Sequence, residues 1–81
     1  MVSNFTEKQG QYLSFIYHYT KLNGRPPSES DMQRYFRVSP PTVHQMVVKL
    51  ENLGLIEREP GIARSIQILV CSQQIPELKE V

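Results

Sequence analysis

The stretch SPPTVHQMVVKLENLG, residues 39–54, decides the fold. Ser39 is a suitable N-cap for a helix, and Pro40 fits the first helical position, where its missing N–H costs nothing. Apolar side chains then recur at the spacing of one buried helix face, at Val43, Met46, Val47, Leu50 and Leu53. Gly54 ends the pattern. The stretch therefore predicts a helix over about residues 40–53 whose opposite face is free to contact a partner.

A shorter helix is predicted immediately upstream, over about residues 28–37. Ser28 is a suitable N-cap after two prolines, and Asp31 at the third helical position complements the helix dipole. The apolar face of this helix consists of Met32, Tyr35 and Phe36. Arg37 and Val38 leave room only for a tight turn, so this helix and the next one form a helix-turn-helix pair.

The first helix is predicted over about residues 6–23. Thr6 and Gln9 match the capping box, in which each side chain satisfies a free backbone donor of the other residue. Gly24 ends the helix, since glycine tolerates the left-handed conformation of a C-terminal cap. The predicted buried face consists of Tyr12, Phe15, Ile16, Tyr19 and Leu22.

Two short strands after the third helix predict a hairpin over about residues 55–70. The returning strand alternates Ile66, Ile68 and Val70 with solvent-facing residues, which is the period of a half-buried strand. Two strands alone are marginal, so the hairpin must pack on the helices. The prediction is a mainly α protein with a small β hairpin, a winged helix-turn-helix of three helices plus a two-stranded wing. One such domain would fill residues 1–81, with a tail at residues 71–81.

Composition argues against several functional classes. The net charge is +1, and no apolar run approaches the roughly 20 residues of a membrane span. His18, His44 and Cys71 lack the spacing of zinc ligands, and the sequence contains neither a nucleophile elbow nor a glycine-rich phosphate loop. We therefore expect a cytoplasmic protein without enzymatic activity, metal or cofactor. Cys71, the single cysteine, lies in an apolar stretch and is expected to pack as a small apolar residue.

The outward face of the third helix is the predicted DNA-reading surface. With the apolar stripe in the core, the far side carries short or amide side chains, flanked by a histidine and a lysine. A glutamine can form two hydrogen bonds with adenine, and a threonine can contact the thymine methyl group. The residues predicted here to read bases are Pro41, Thr42, His44, Gln45 and Val48. The alternative is an ordinary solvated helix face.

Four residues are predicted to contact DNA phosphates. Lys49 and Asn52 lie on the third helix, and Arg58 and Arg64 lie on the two arms of the hairpin. An arginine at the wing can bind a phosphate or enter a minor groove. The alternative for Arg64, at the end of the wing, is an ion pair with Glu57 or Glu59.

From about Phe5 to Leu69 the chain resembles the N-terminal DNA-binding domain of the LexA repressor family, which regulates the bacterial SOS response. The matching pieces occur in order and at near-family spacing: Thr6-Glu7-Lys8-Gln9, Gly24-Arg25-Pro26-Pro27-Ser28, Ser39-Pro40-Pro41-Thr42-Val43, Leu53-Gly54-Leu55-Ile56-Glu57 and Arg64-Ser65-Ile66-Gln67-Ile68. The resemblance implies a winged helix that reads the major groove with its third helix. The family's reading positions correspond to Ser39, Pro41, Thr42, His44 and Gln45.

The sequence departs from the family pattern in three respects. Gln33 stands where many helix-turn-helix units carry a small residue, and Arg37 stands where they carry glycine. The Asn and Glu pair with which the family reads bases is absent, so a different operator sequence is expected. The resemblance does not extend to the family's self-cleaving peptidase half, so we expect a binding module that does not cleave itself.

These observations predict a transcription regulator of the repressor kind that binds double-stranded DNA sequence-specifically. The alternative is a winged-helix protein–protein interaction module without DNA binding, which the near-neutral charge and the aromatic residues Tyr17 and Tyr35 would suit. On DNA we expect a weak homodimer or cooperative binding. The residues expected to lie at the contact between two copies of the chain are Tyr17, Ile75, Leu78 and Val81.

Overall fold

The computed structural model describes residues 5–80 and contains three helices followed by a two-stranded antiparallel hairpin. The helices are α1 (Glu7–Asn23), α2 (Glu29–Phe36) and α3 (Pro40–Asn52), and the strands are β1 (Ile56–Glu57) and β2 (Gln67–Ile68). This order confirms the predicted winged-helix fold class. The strands are shorter than the predicted hairpin, because only two residue pairs, Ile56 with Ile68 and Glu57 with Gln67, are in register.

Side-chain caps begin the first two helices. In α1 the Gln9 backbone N–H donates to Thr6 Oγ1 over 3.2 Å, and the Thr6 N–H donates to Gln9 Oε1 over 2.8 Å. Ser28 and Asp31 form the same reciprocal pair at the start of α2. Each pair satisfies two backbone donors that a helix start would leave free. The sequence therefore fixes where both helices begin.

The start of α3 differs from the cap predicted for it. Ser39 occupies the N-cap position, but its hydroxyl makes no capping hydrogen bond. Ser39 Oγ instead lies 2.9 Å from Thr42 Oγ1, so the two hydroxyls bond each other. The helix start relies on Pro40, whose fixed φ suits the first helical position.

Arg37 ends α2 in the left-handed conformation, with φ of 57°. Glycine is the usual residue at such a cap, because a Cβ makes the left-handed region unfavourable by about 1–2 kcal/mol. This backbone angle explains why many helix-turn-helix units carry glycine at this position. In this chain Arg37 adopts the same left-handed turn although it carries a side chain.

The core forms where the three helices meet the hairpin. Tyr12 and Phe36 stack with ring centroids 4.0 Å apart, which joins α1 to α2. The buried apolar residues are Tyr12, Leu13, Phe15, Ile16, Met32, Phe36, Val43, Val47, Leu50, Leu55, Ile56 and Ile66. Two predicted core residues lie outside it: Leu22 is 85% exposed and Leu53 is 45% exposed. Both stand at the ends of their helices, beyond the region that the neighbouring elements cover.

The tail folds back onto α1. The Gln11 side chain donates to the Glu77 carbonyl over 2.8 Å and accepts from the Lys79 backbone N–H over 2.7 Å. Ile75 and Leu78 are half-buried and pack against the core, so they are not the free pairing surface that the sequence predicted. The tail is thus part of the domain.

Three other expectations are changed or left open by the structure. Tyr17 is half-buried, and the Lys21 ammonium lies 5.3 Å from its ring centroid, so this tyrosine is only partly available to a partner. Cys71 is exposed and does not pack in the core, because it follows β2 at the surface. Val81 lies outside the described residues.

Replacing Ser14 with alanine should raise the free energy of unfolding by about 1 kcal/mol. Ser14 is fully buried in α1, and its hydroxyl has no hydrogen-bond partner among the described residues. Alanine removes the unsatisfied group and is the better helix former. Urea denaturation measures the change. Ser30→Ala, at an exposed position of α2, is the control, and its free energy of unfolding should rise by less. Equal increases in the two variants would contradict the explanation that the buried hydroxyl is responsible.

Candidate nucleic-acid interface

Helix α3 has one face in the core and the opposite face in solvent. Val43, Val47 and Leu50 have no exposed surface. The residues predicted to contact DNA from this helix stand on the other side, where all are exposed except Val48, which is half-buried: Pro41, Thr42, His44, Gln45, Val48, Lys49 and Asn52. Ser39 is exposed just before them. The structure therefore brings the α3 residues together on one surface.

The N-terminus of α3 has few donors for a phosphate. Helix starts bind anions through free backbone N–H groups, but Pro40 and Pro41 have none. The Val43 N–H already donates to the Ser39 carbonyl over 3.2 Å. The possible donors at this end of α3 are therefore the Thr42 backbone N–H and the hydroxyls of Ser39 and Thr42.

A cluster of four charged or titratable residues connects α2, α3 and the wing; we call it the Glu29 cluster. His44 Nδ1 lies 3.3 Å from both carboxylate oxygens of Glu29, the first residue of α2. Arg58 donates to Glu29 over 3.3 Å and to Glu51 over 3.1 Å. The sequence predicted a phosphate contact for Arg58. Its guanidinium instead bonds carboxylates of α2 and α3, because these charge-assisted bonds lie within its reach.

Arg64 fastens the wing to the helices. Its Nη1 lies 2.9 Å from Asp31 Oδ2, 3.3 Å from the Tyr19 hydroxyl and 3.4 Å from the Pro26 carbonyl. The Arg64 backbone has φ of 56°, a left-handed conformation that turns the chain. The guanidinium predicted to contact phosphate therefore lies against the protein. A phosphate contact by Arg64 would require the ion pair with Asp31 to open.

Asp31 is the buried centre of this arrangement. Only 9% of the residue is exposed, and the Ser28 backbone N–H donates to its carboxylate over 2.9 Å. This hydrogen bond is the main reason why the pKa of Asp31 falls to about 2, with further contributions from the Ser28 and Tyr19 hydroxyls and from Arg64. The carboxylate is thus charged across the physiological range. From the sequence, Asp31 was predicted only to favour the start of α2. Its bonds with Tyr19 and Arg64 were not predicted, because these two residues are distant from it in sequence.

Acid should weaken the fold through Asp31. Because its folded pKa of about 2 lies below the ordinary 3.8, its carboxylate stabilises the fold fully above that value. The contribution, about 2 kcal/mol, is lost as pH falls from 3.8 towards 2. Urea unfolding of the protein and of Asp31→Asn across this range should give two stabilities that converge. A constant difference between the two stabilities would show that the charge of the Asp31 carboxylate does not cause the loss of stability at low pH.

The tip of the wing carries no basic residue. Residues 59–63 read Glu-Pro-Gly-Ile-Ala, and Glu57 and Glu59 are exposed beside Ile62, which is 58% exposed. Carboxylates repel phosphate, so the tip is poorly suited to the DNA backbone. Among the four predicted phosphate contacts, Lys49 is the one whose charge forms no ion pair within residues 5–80. Of the four, the positive charge that stays unpaired therefore lies on α3.

Within residues 5–80, no helix is long and apolar enough to cross a membrane. In the same part of the chain, no three side chains of the metal-ligating types His, Cys, Asp and Glu converge to hold an ion.

Comparison with known proteins gives one family and a set of relatives. Residues 4–62 match the family described as iron dependent repressor, N-terminal DNA binding domain. The chain is 36% identical to the LexA repressor of Thermosipho melanesiensis over 74 residues, which are 91% of this chain and 37% of the relative. It is 36% identical to the LexA repressor of Thermotoga neapolitana over 81 residues, 99% of this chain and 41% of the relative. It is 33% identical to the LexA repressor of Clostridium perfringens over 82 residues, which cover this chain and 40% of the relative. The chain thus spans about two fifths of the length of these relatives.

Proposed function

The chain belongs to the family of iron dependent repressor N-terminal DNA-binding domains and is of the LexA type, and from this we propose that it binds double-stranded DNA sequence-specifically to repress transcription. The family description names iron, but the described residues provide no convergent set of metal ligands. The proposal therefore includes no step that uses a metal.

The observation that carries the proposal is the two-sided character of α3. Val43, Val47 and Leu50 on its inner side are fully buried, and its outer side presents Thr42, His44 and Gln45 in solvent. An α-helix fits the major groove, where each base pair displays a distinct pattern of donors and acceptors. Helix α3 would lie in that groove and α2 would support it. The wing would lie next to the groove, where its tip offers no basic residue to a phosphate.

The competing function is protein binding by the same surface, which the charge distribution favours. Of nine Lys and Arg residues, four form ion pairs within residues 5–80: Arg34, Arg58, Arg64 and Lys79. This pairing reduces the positive field that would attract DNA. Retention on a non-specific duplex at low salt distinguishes the two functions. DNA binding requires retention that weakens as salt rises, and absence of retention would favour a protein partner.

The residues of α3 should divide into those that read bases and those that bind the backbone. Thr42→Ala and Gln45→Ala should each change the base preference at one or two positions, by about 1–3 kcal/mol. Lys49→Ala should weaken binding to all sequences alike and lower the salt slope by about one. Selection from random duplexes, followed by titration at several salt concentrations, measures both effects. Identical preference profiles for Gln45→Ala and Lys49→Ala would contradict this division.

A further inference from the structure

We propose that Glu29 fixes the tautomer of His44, so that the Nε2 atom of His44 offers a lone pair to DNA and reads a base that carries an amino group. The first part of the proposal, the tautomer of the His44 ring, concerns the protein without DNA. The second part, the contact with a base, rests on the proposed function. Glu29 acts as a positioning residue, because it would shape the contact without touching DNA.

The geometry determines which ring nitrogen carries the proton. A carboxylate has only acceptor oxygens, so the bond between Glu29 and His44 Nδ1 at 3.3 Å requires a proton on Nδ1. A neutral imidazole has one N–H and one bare nitrogen. Nε2 is then the bare nitrogen and can only accept a hydrogen bond.

The carboxylate of Glu29 is itself held in place. It stands at the first position of α2, where the helix dipole favours a negative charge. Arg58 donates to its Oε2 over 3.3 Å, and Arg58 is also bonded to Glu51. Glu29 therefore has an orientation set by three elements of the fold. A carboxylate fixed in this way can orient the imidazole next to it.

The consequence for DNA follows from the groups in the major groove. An acceptor at Nε2 matches the amino groups of adenine N6 and cytosine N4. Opposite guanine N7 and O6 or thymine O4, the same nitrogen would meet another acceptor. His44 is exposed on α3 beside Gln45, within the surface proposed to enter the groove. His44 and Gln45 would contact bases side by side, and Glu29 would set the base preference of His44 without touching the DNA.

The first test needs no DNA. Long-range proton–nitrogen NMR spectra distinguish a protonated ring nitrogen from a bare one, and they are recorded above the pH at which the His44 signals stop changing. The unaltered protein should show protonated Nδ1 and bare Nε2. In Glu29→Ala, which removes the acceptor, the His44 signals should shift towards the form with a proton on Nε2.

Matched controls separate this effect from a general disturbance. Glu51→Gln removes a different carboxylate of the Glu29 cluster and should leave the His44 tautomer unchanged. His18, which is exposed on α1, should give constant signals in every protein. A proton on Nε2 of His44 in the unaltered protein would overturn the proposal, as would a Glu29→Ala protein with unchanged His44 signals.

The second test uses selection from random duplexes. Glu29→Ala should reduce the preference for adenine or cytosine at one position by about 5- to 10-fold, and Glu51→Gln should retain it. An unchanged profile for Glu29→Ala, with the unaltered protein binding specifically, would overturn the role of Glu29 in base reading. Failure of the unaltered protein to bind any duplex would instead overturn the proposed function, and the NMR result would stand independently.

Discussion

An Asp31→Ala protein should lose about 3 kcal/mol of its free energy of unfolding. The substitution removes the acceptor for the Ser28 N–H, one half of the capping box of α2. It also leaves Arg64 without the carboxylate that lies 2.9 Å away and holds the wing to the helices. A domain of 81 residues has a total stability of roughly 4–12 kcal/mol, so the loss is a large fraction. Urea denaturation at neutral pH measures it.

The two arginines that bond Asp31 provide the internal comparison. The Arg34 side chain is 74% exposed and the Arg64 side chain is 31% exposed. Because exposed ion pairs contribute little, Arg34→Ala should cost less than about 0.5 kcal/mol, and Arg64→Ala should cost about 1–2 kcal/mol. Glu57→Ala, at an exposed position of the wing, should be neutral. If Arg34→Ala and Asp31→Ala had equal effects, Asp31 would not be the centre of a buried network.

The fold was largely predictable from short-range patterns. The capping pairs Thr6–Gln9 and Ser28–Asp31 act over three residues, and the buried stripe of α3 repeats within two turns. Such signals are complete within the sequence that forms the element. The exposure of Leu22 was not predictable in this way, because the helical period continues after the neighbouring elements have ended.

The candidate site was predictable where it depends on one helix and not where it depends on pairing across elements. The period of α3 alone places Thr42 and Gln45 in solvent. Arg58 is separated from Glu29 by 29 residues, and Arg64 is separated from Asp31 by 33. Sequence alone does not indicate which carboxylate an arginine will meet at such separations. Both arginines therefore looked like free wing residues, whereas the structure shows each one bonded within the protein.

The bonding of these arginines lowers the expected dependence of DNA binding on salt. Each charged contact with phosphate releases counterions, with a slope of about −0.9 per contact. With Arg58 and Arg64 engaged in the protein, Lys49 is the one predicted charged contact that remains, which gives a slope of about −1. A fourfold rise in salt should then weaken binding only about 3- to 4-fold. Arg64→Ala should leave this slope unchanged, and a slope lowered by one in that variant would place Arg64 on phosphate.

With so few phosphate contacts, one copy of this 81-residue chain should bind a single half-site only at about micromolar affinity or worse. Tight binding should need two half-sites one helical turn apart, roughly 34 Å between centres. The molecule measures 33 × 27 × 25 Å, so two copies at that separation can touch without overlapping. Because Ile75 and Leu78 pack against their own core, such a contact would use exposed apolar residues, among them Leu69 at 51% exposure.

We expect sedimentation to show a monomer in solution and titration to show cooperative binding to paired half-sites. Half-sites moved by half a turn serve as the control, because they place the second copy on the opposite side of the DNA. Nanomolar binding of a monomer to one half-site would contradict this prediction, and so would equal affinity for the two spacings.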